Sequence, residues 1–124
     1  MIKGKNLDKE LMTVSNKTAF DLSGAAAQEM VLYNKNASIT INKVWVIYEE
    51  ATSSDTGVAL QIGKTGALTA YWTATSEVSK SAAYSKEYTT GFTTIPKNTP
   101  VLVSSAGSKV GTGTAYIVIA YTVN

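Results

Sequence analysis

The chain has 124 residues, eleven lysines against nine carboxylates, and no cysteine, histidine or arginine. That length suits one domain with one core, and the missing side chains exclude disulfides, thiolate nucleophiles, imidazole general bases or metal ligands, and guanidinium forks for phosphate. The lysines are scattered from Lys3 to Lys109 rather than gathered into a stripe, so the pI of 8.8 reflects sparse charge and not a nucleic-acid footprint.

Residues 1–15 differ from the rest. Leu7, Leu11 and Met12 recur at helical spacing beside Lys3, Lys5 and Lys9, which predicts an arm or short helix outside the main domain, residues 16–124. No apolar stretch of signal-peptide length follows Met1, and no later apolar run approaches the ~20 residues of a membrane span, so the expectation is a soluble protein made in the cytoplasm. Without export, the sequons at Asn16-Lys17-Thr18 and Asn36-Ala37-Ser38 read as chance matches.

From Thr18 onward the composition is that of short strands joined by turns. Phe20 and Leu22 alternate with Ala19 and Asp21 and stop at Ser23-Gly24; Glu29 to Tyr33 follows and closes on Asn34-Lys35-Asn36. Ser38 to Glu50 is a long strand whose alternation changes phase. Ile39 and Ile41 share one parity while Val44, Val46 and Tyr48 share the other, so a bulge or bend near Asn42-Lys43 is needed to keep one inward face. Ser54-Asp55-Thr56-Gly57 reads as a turn into Val58, Leu60 and Ile62, which alternate with Ala59 and Gln61. Ala70 to Thr75 and Tyr84 to Thr90 are further strands, with one or two helical turns expected over residues 76–83.

Ile95-Pro96-Lys97-Asn98-Thr99-Pro100 connects to Val101-Leu102-Val103, and glycines at 107, 111 and 113 mark a loop before the last strand, Thr114 to Val123. In that strand Ile117, Ile119, Tyr121 and Val123 make one face, and Tyr116, Val118 and Ala120 make the other apolar as well. A strand apolar on both faces is central in its sheet or packed on another subunit. About eight strands at regular spacing predict an all-β, antiparallel, jelly-roll-like sandwich.

Few motifs bear chemistry. Gly63-Lys64-Thr65 ends like a phosphate-binding loop, but the glycine required five residues earlier is Val58 and no helix follows, so it reads as a hairpin turn. Glu49, Glu50 and Asp55 could offer oxygens to a cation, yet adjacent strand residues point to opposite faces and an exposed strand end is the simpler reading. The expectation is no enzyme, no cofactor and no bound metal. Of the aromatics, Trp45 and Tyr121 are assigned to core or interface, and in Tyr71-Trp72 a regular strand would turn one ring outward.

The run Ala51-Thr52-Ser53-Ser54-Asp55-Thr56-Gly57-Val58 and the tail from Ile95-Pro96-Lys97-Asn98-Thr99-Pro100-Val101 through Gly111-Thr112-Gly113-Thr114 to Tyr121 resemble small β-sandwich structural proteins of tailed-bacteriophage virions, in particular head decoration or auxiliary capsid proteins. The resemblance implies a virion location, a major capsid protein or other virion proteins as partners, a homo-oligomer with a trimer favoured, and neither nucleic acid nor membrane as ligand. The interface residues assigned on this reading are Lys3, Lys5, Leu7, Leu11, Met12, Tyr71, Trp72, Tyr116 and Val118. A carbohydrate-binding or adhesin-like module, as in a fibre or tail component, is the alternative; it would show a row of rings in a cleft or on one sheet face.

Overall fold

The computed structural model describes residues 10–22, 26–50, 58–75, 85–107 and 113–124. They form nine strands: β1 (Met12–Ser15), β2 (Phe20–Asp21), β3 (Ala27–Tyr33), β4 (Ile39–Glu50), β5 (Val58–Lys64), β6 (Ala67–Thr75), β7 (Ser85–Tyr88), β8 (Pro100–Gly107) and β9 (Thr114–Val123). One sheet has the order β1-β9-β4-β7 with β2 also on β9, and the other has β3-β8-β5-β6. Every pairing is antiparallel. Because β1 and β2 run along the same edge of β9, they amount to one interrupted strand, leaving two four-position sheets. The chain crosses between sheets at nearly every connection, as the jelly roll requires. No helix occurs among the described residues; residues 76–83, where helical turns are expected, lie outside them, as do Ser54 to Gly57.

The core lies between the sheets. Val58, Leu60 and Ile62 of β5 and Val101 and Val103 of β8 face Ile39, Ile41, Val44, Val46 and Tyr48 of β4 and Ile117 and Ile119 of β9. Burying each aliphatic side chain favours folding by about 1.5–3 kcal/mol. The phase change in β4 is resolved as its sequence requires. The register slips between Ile41 and Lys43 against β9, and both sets of apolar residues end up buried. Asn42 at the slip is exposed.

Met12–Ser15 departs from the expectation of an arm outside the sandwich. It pairs with Tyr121 to Val118 as an edge strand of the five-stranded sheet, and Val14 packs on the core. Helical spacing over so few apolar residues loses to the unpaired edge of β9, which offers backbone hydrogen bonds to an alternating Met-Thr-Val-Ser segment. Residues 1–9 are outside the described set.

The gap between β1 and β2 is closed by a side chain. Asn16, 1% exposed, accepts from the Ile117 N–H through Oδ1 at 2.9 Å and donates through Nδ2 to the carbonyls of Thr18 at 2.9 Å and Ala115 at 3.3 Å. Its amide thus replaces the backbone partner that β9 loses where the edge strand breaks. A second asparagine cluster fixes the opposite turns. Asn34 donates to Ala37 and Pro96 carbonyls and accepts from the Thr99 N–H, while Asn98 Oδ1 accepts from the Asn36 N–H. Asn36 and Asn98 have φ of 63° and 57°, a left-handed conformation that asparagine tolerates better than most residues.

Substituting Asn16 by Ala leaves buried ladder groups without partners and should lower stability by roughly 3 kcal/mol in chemical denaturation. Asn16→Asp keeps the acceptor but sets a carboxylate against two carbonyls, so its defect should shrink as pH falls and the carboxyl becomes protonated. Equal stability of wild type and both variants would remove this role for the side chain.

Candidate interaction surfaces

Each sheet has an outer face, and the two differ in chemistry. On the five-stranded sheet, the β4–β9 register sets Trp45 opposite Val118 and Ile47 opposite Tyr116. Trp45, Val118 and Tyr116 are half-buried and Ile47 is 41% exposed, so four apolar side chains form a continuous patch with no layer over them among the described residues. Ser15 borders it from β1 and Glu87 from β7. The Trp45 Nε1–H donates to Glu87 Oε1 at 3.0 Å, Lys43 Nζ lies 3.8 Å from Glu87 Oε2, and that ammonium stands 5.7 Å from the Trp45 ring centre. These contacts hold the indole in place, although an exposed ion pair of this kind adds little stability.

The structure therefore brings Tyr116 and Val118 together, as the sequence suggests, and adds Trp45 and Ile47 from β4. Leu11 and Met12 are exposed at the start of the edge strand, where Met12 pairs with Tyr121, and they do not join this patch. Lys3, Lys5 and Leu7 lie outside the described residues. β9 is central in its sheet, which accounts for part of its apolar outer face; Ala120 is wholly buried there.

Tyr71 and Trp72 correct the expectation of one outward ring, since both are 4% exposed. Ile62 pairs with Trp72 but Lys64 pairs with Ala67, so Leu68 to Tyr71 stand opposite Gly63 alone and the two-residue alternation fails there. Trp72 turns inward against Tyr88, with ring centres 5.2 Å apart at 66°. Tyr71 is covered by the connection before β8, where its carbonyl accepts from the Thr93 N–H at 3.0 Å. The Tyr71 hydroxyl is buried without a well-formed hydrogen bond. Burial pushes its pKa above 10, and the nearby Thr99 side chain opposes this only in part.

The outer face of the four-stranded sheet is mixed: Met30, 58% exposed, pairs with Leu102 beside a row of neutral polar residues. Gln28, Ser104, Gln61 and Thr73 lie opposite one another across all four strands. Ser104 Oγ donates to Gln61 Oε1 at 3.0 Å, and both residues are buried, at 1% and 9% exposure. The bulged start of β6 explains that burial. A Cβ on Gly63 would meet the Ala67 carbonyl oxygen and the Leu68 backbone at 2.3 Å, so the β5–β6 hairpin folds over the sheet where glycine leaves room. The hairpin turns at Thr65-Gly66, with Gly66 at φ 83°, so the Gly63-Lys64-Thr65 fragment belongs to a hairpin as its sequence context indicates. Sequence reading misses this face, because nothing local says that Ser104 and Gln61 become neighbours.

No group of three or more metal-ligating side chains occurs among the described residues. Glu50 accepts from the Gly113 N–H at 3.2 Å, while Asp55 lies outside the described set. The geometry defines a jelly-roll sandwich with an apolar patch on the outer face of one sheet and a mixed polar and apolar outer face on the other. No protein-family model matches the chain, and no curated protein matches it. Among solved structures, the fold is similar to a chain of the cyanophage Pam1 capsid asymmetric unit, with a TM-score of 0.57 and 16% identity over 95% of this chain and 88% of that one. At that identity the likeness is one of fold.

Tyr71→Phe removes an unpaired buried hydroxyl and should leave stability at neutral pH unchanged or slightly raised. A raised pKa in the folded state means that the unfolded chain releases its proton first, so the wild type should lose stability as pH rises above 10. Denaturation midpoints measured from pH 8 to 11 should fall less steeply for the Phe variant than for wild type.

Proposed function

We propose that this chain is a structural component of a tailed-phage virion, an auxiliary capsid protein that binds shell subunits as a symmetric oligomer and catalyses no reaction. The observation that carries this reading is the whole-chain likeness in fold to a chain of a phage capsid asymmetric unit, which extends over nearly all of both chains and so concerns chains of similar length. The sequence supports it independently. A chain without histidine, cysteine or arginine is poorly equipped for catalysis, and nothing in its charge pattern suits a nucleic acid.

On this reading the apolar patch of Trp45, Ile47, Tyr116 and Val118 makes the contact between copies, with a trimer the favoured assembly. Removing such a face from water is the main driving force for protein association, and aromatic residues are the usual anchors. The residues before β1, with Lys3, Lys5 and Leu7, are then left to reach the shell, alongside Leu11 and Met12 exposed at the start of the edge strand. Because β1 is part of the sandwich, a truncated protein beginning at Glu10 keeps the edge strand and isolates the contribution of the preceding residues.

Three measurements test the proposal. Mass spectrometry of purified particles from the phage that encodes the chain should find it in fixed ratio to the major shell protein; absence from the particle would refute the virion role. Light scattering of the purified protein should give an oligomeric mass that Val118→Lys reduces to the monomer, without loss of the β circular dichroism signal. The protein beginning at Glu10 should keep that mass and bind particles more weakly.

A further inference from the structure

The patch of Trp45, Ile47, Tyr116 and Val118 has a pattern of its own. Trp45 stands opposite Val118 and Ile47 opposite Tyr116, so the two rings lie on one diagonal of a square and the two aliphatic side chains on the other. The same register sets a charged row beyond each side of the square. Toward the start of β4, Lys43 pairs with Ala120, one row beyond Trp45. Toward its end, Glu50 pairs with Thr114, one row beyond Ile47, and Asp21 of β2 flanks Thr114 on the other side. Residues directly opposite in an antiparallel pair share a face, so all of these belong to the outer surface of the five-stranded sheet.

Read along the strands, the face runs from a basic row through two apolar rows to an acidic row, an order that is its own complement when reversed. We propose that two copies of the chain pack these faces together across a two-fold axis that lies in the contact plane, crosses the strands, and passes between the Trp45–Val118 and Ile47–Tyr116 rows. This rests on the reading that the patch joins copies, and it specifies which residues meet. β4 lies antiparallel on β4 of the second copy, and β9 on β9. Trp45 then covers Ile47 of the second copy, Tyr116 covers Val118, and Lys43 faces Glu50, each contact occurring twice.

The charges choose this axis over its rival. A two-fold along the strands also sets each ring on an aliphatic side chain, but it places Lys43 on Ala120 and Glu50 on Thr114, leaving both charges without a partner across the contact. With the axis across the strands, Glu87 meets Ser85 and Asp21 meets Thr13, so these carboxylates face neutral groups. Lys43 is already held beside the indole by Glu87 at 3.8 Å, and Glu50 is exposed. Four strands about 4.8 Å apart and four rows about 6.7 Å apart cover ~500 Å² on each copy, or ~1,000 Å² in all, the lower bound of a specific interface. Dimerisation is therefore concentration-dependent. A two-fold contact is isologous and closes with two copies, whereas a ring of three uses two different surfaces on each subunit. Copies joined by this patch come in pairs, and a three-fold assembly would need a further surface.

The test uses charge exchange in the full-length protein. Lys43 and Glu50 stand about 20 Å apart along β4, too far to pair within one chain. Sedimentation at low ionic strength should show a monomer–dimer equilibrium. Lys43→Glu and Glu50→Lys each set like charges opposite one another at both ends of the contact, so each alone should weaken dimerisation by about tenfold or more, with circular dichroism confirming the sheet. A mixture of the two variants restores opposite charges at both ends, and a dimer with one copy of each should recover most of the lost affinity. No recovery in the mixture, or a dimer indifferent to both substitutions, would overturn the proposed register. A trimer that Val118→Lys dissociates would overturn the two-fold while leaving the patch as the contact between copies. A monomer at all concentrations up to about 1 mM would remove both. None of these outcomes bears on whether the chain is found in particles.

Discussion

The five-stranded sheet depends on β9 being paired on both sides. β4 satisfies one edge from Ile39 to Glu50, with two register slips, and β1 and β2 satisfy the other. Ten residues with apolar side chains on both faces would be an aggregation hazard as an exposed edge strand. Placed centrally, the same residues supply Ile117 and Ile119 to the core and Tyr116 and Val118 to the outer surface. The weak point of this arrangement is the step from β1 to β2, where four residues must pass two of β9 and the backbone ladder cannot continue. Asn16 is suited to that step because one carboxamide carries both a donor and an acceptor and can serve an N–H and a carbonyl of the same strand at once. Its sequon is incidental. An amide buried in three hydrogen bonds cannot carry a glycan in the folded protein.

Much of this fold is legible in the sequence, and the reason is local. The phase change between Ile41 and Val44 is a property of one strand, so the bulge it demands can be located without knowing the partner. The same holds for β5, whose Val58, Leu60 and Ile62 alternate cleanly, and for β9, whose limits match the last apolar run. The misreadings arise where local pattern is ambiguous or overridden. Leu7, Leu11 and Met12 fit a helical period, but Met12 to Ser15 also fit a strand, and the open edge of β9 decides between them. For Tyr71 and Trp72 the assumption of regular alternation was reasonable, yet Gly63 allows the hairpin to fold back and insert extra residues just before the pair.

The candidate surfaces were legible in part for the same reason. Tyr116 and Val118 stand out because they make a strand apolar on its second face, a signal contained in ten consecutive residues. Trp45 and Ile47 join them only through the β4–β9 register, and that register includes the slip. The polar row is less visible still. Gln28, Gln61, Thr73 and Ser104 come from four strands, each is unremarkable in its own strand, and the burial of Gln61 and Ser104 depends on a hairpin bend that glycine permits rather than dictates. Long-range register is the information that a single sequence carries least openly.

The two outer faces make different physical demands on whatever meets them. An apolar face gains by losing water, so any surface of matching shape suffices and a copy of the same chain is always at hand. A neutral row of amides and hydroxyls gains nothing from simple dehydration, because each group must recover its hydrogen bonds from the partner. Since the sheets pack about 10 Å apart with the core between them, a partner on one face cannot obstruct the other. If neighbouring subunits take the five-stranded sheet, the four-stranded sheet is the one left facing solvent.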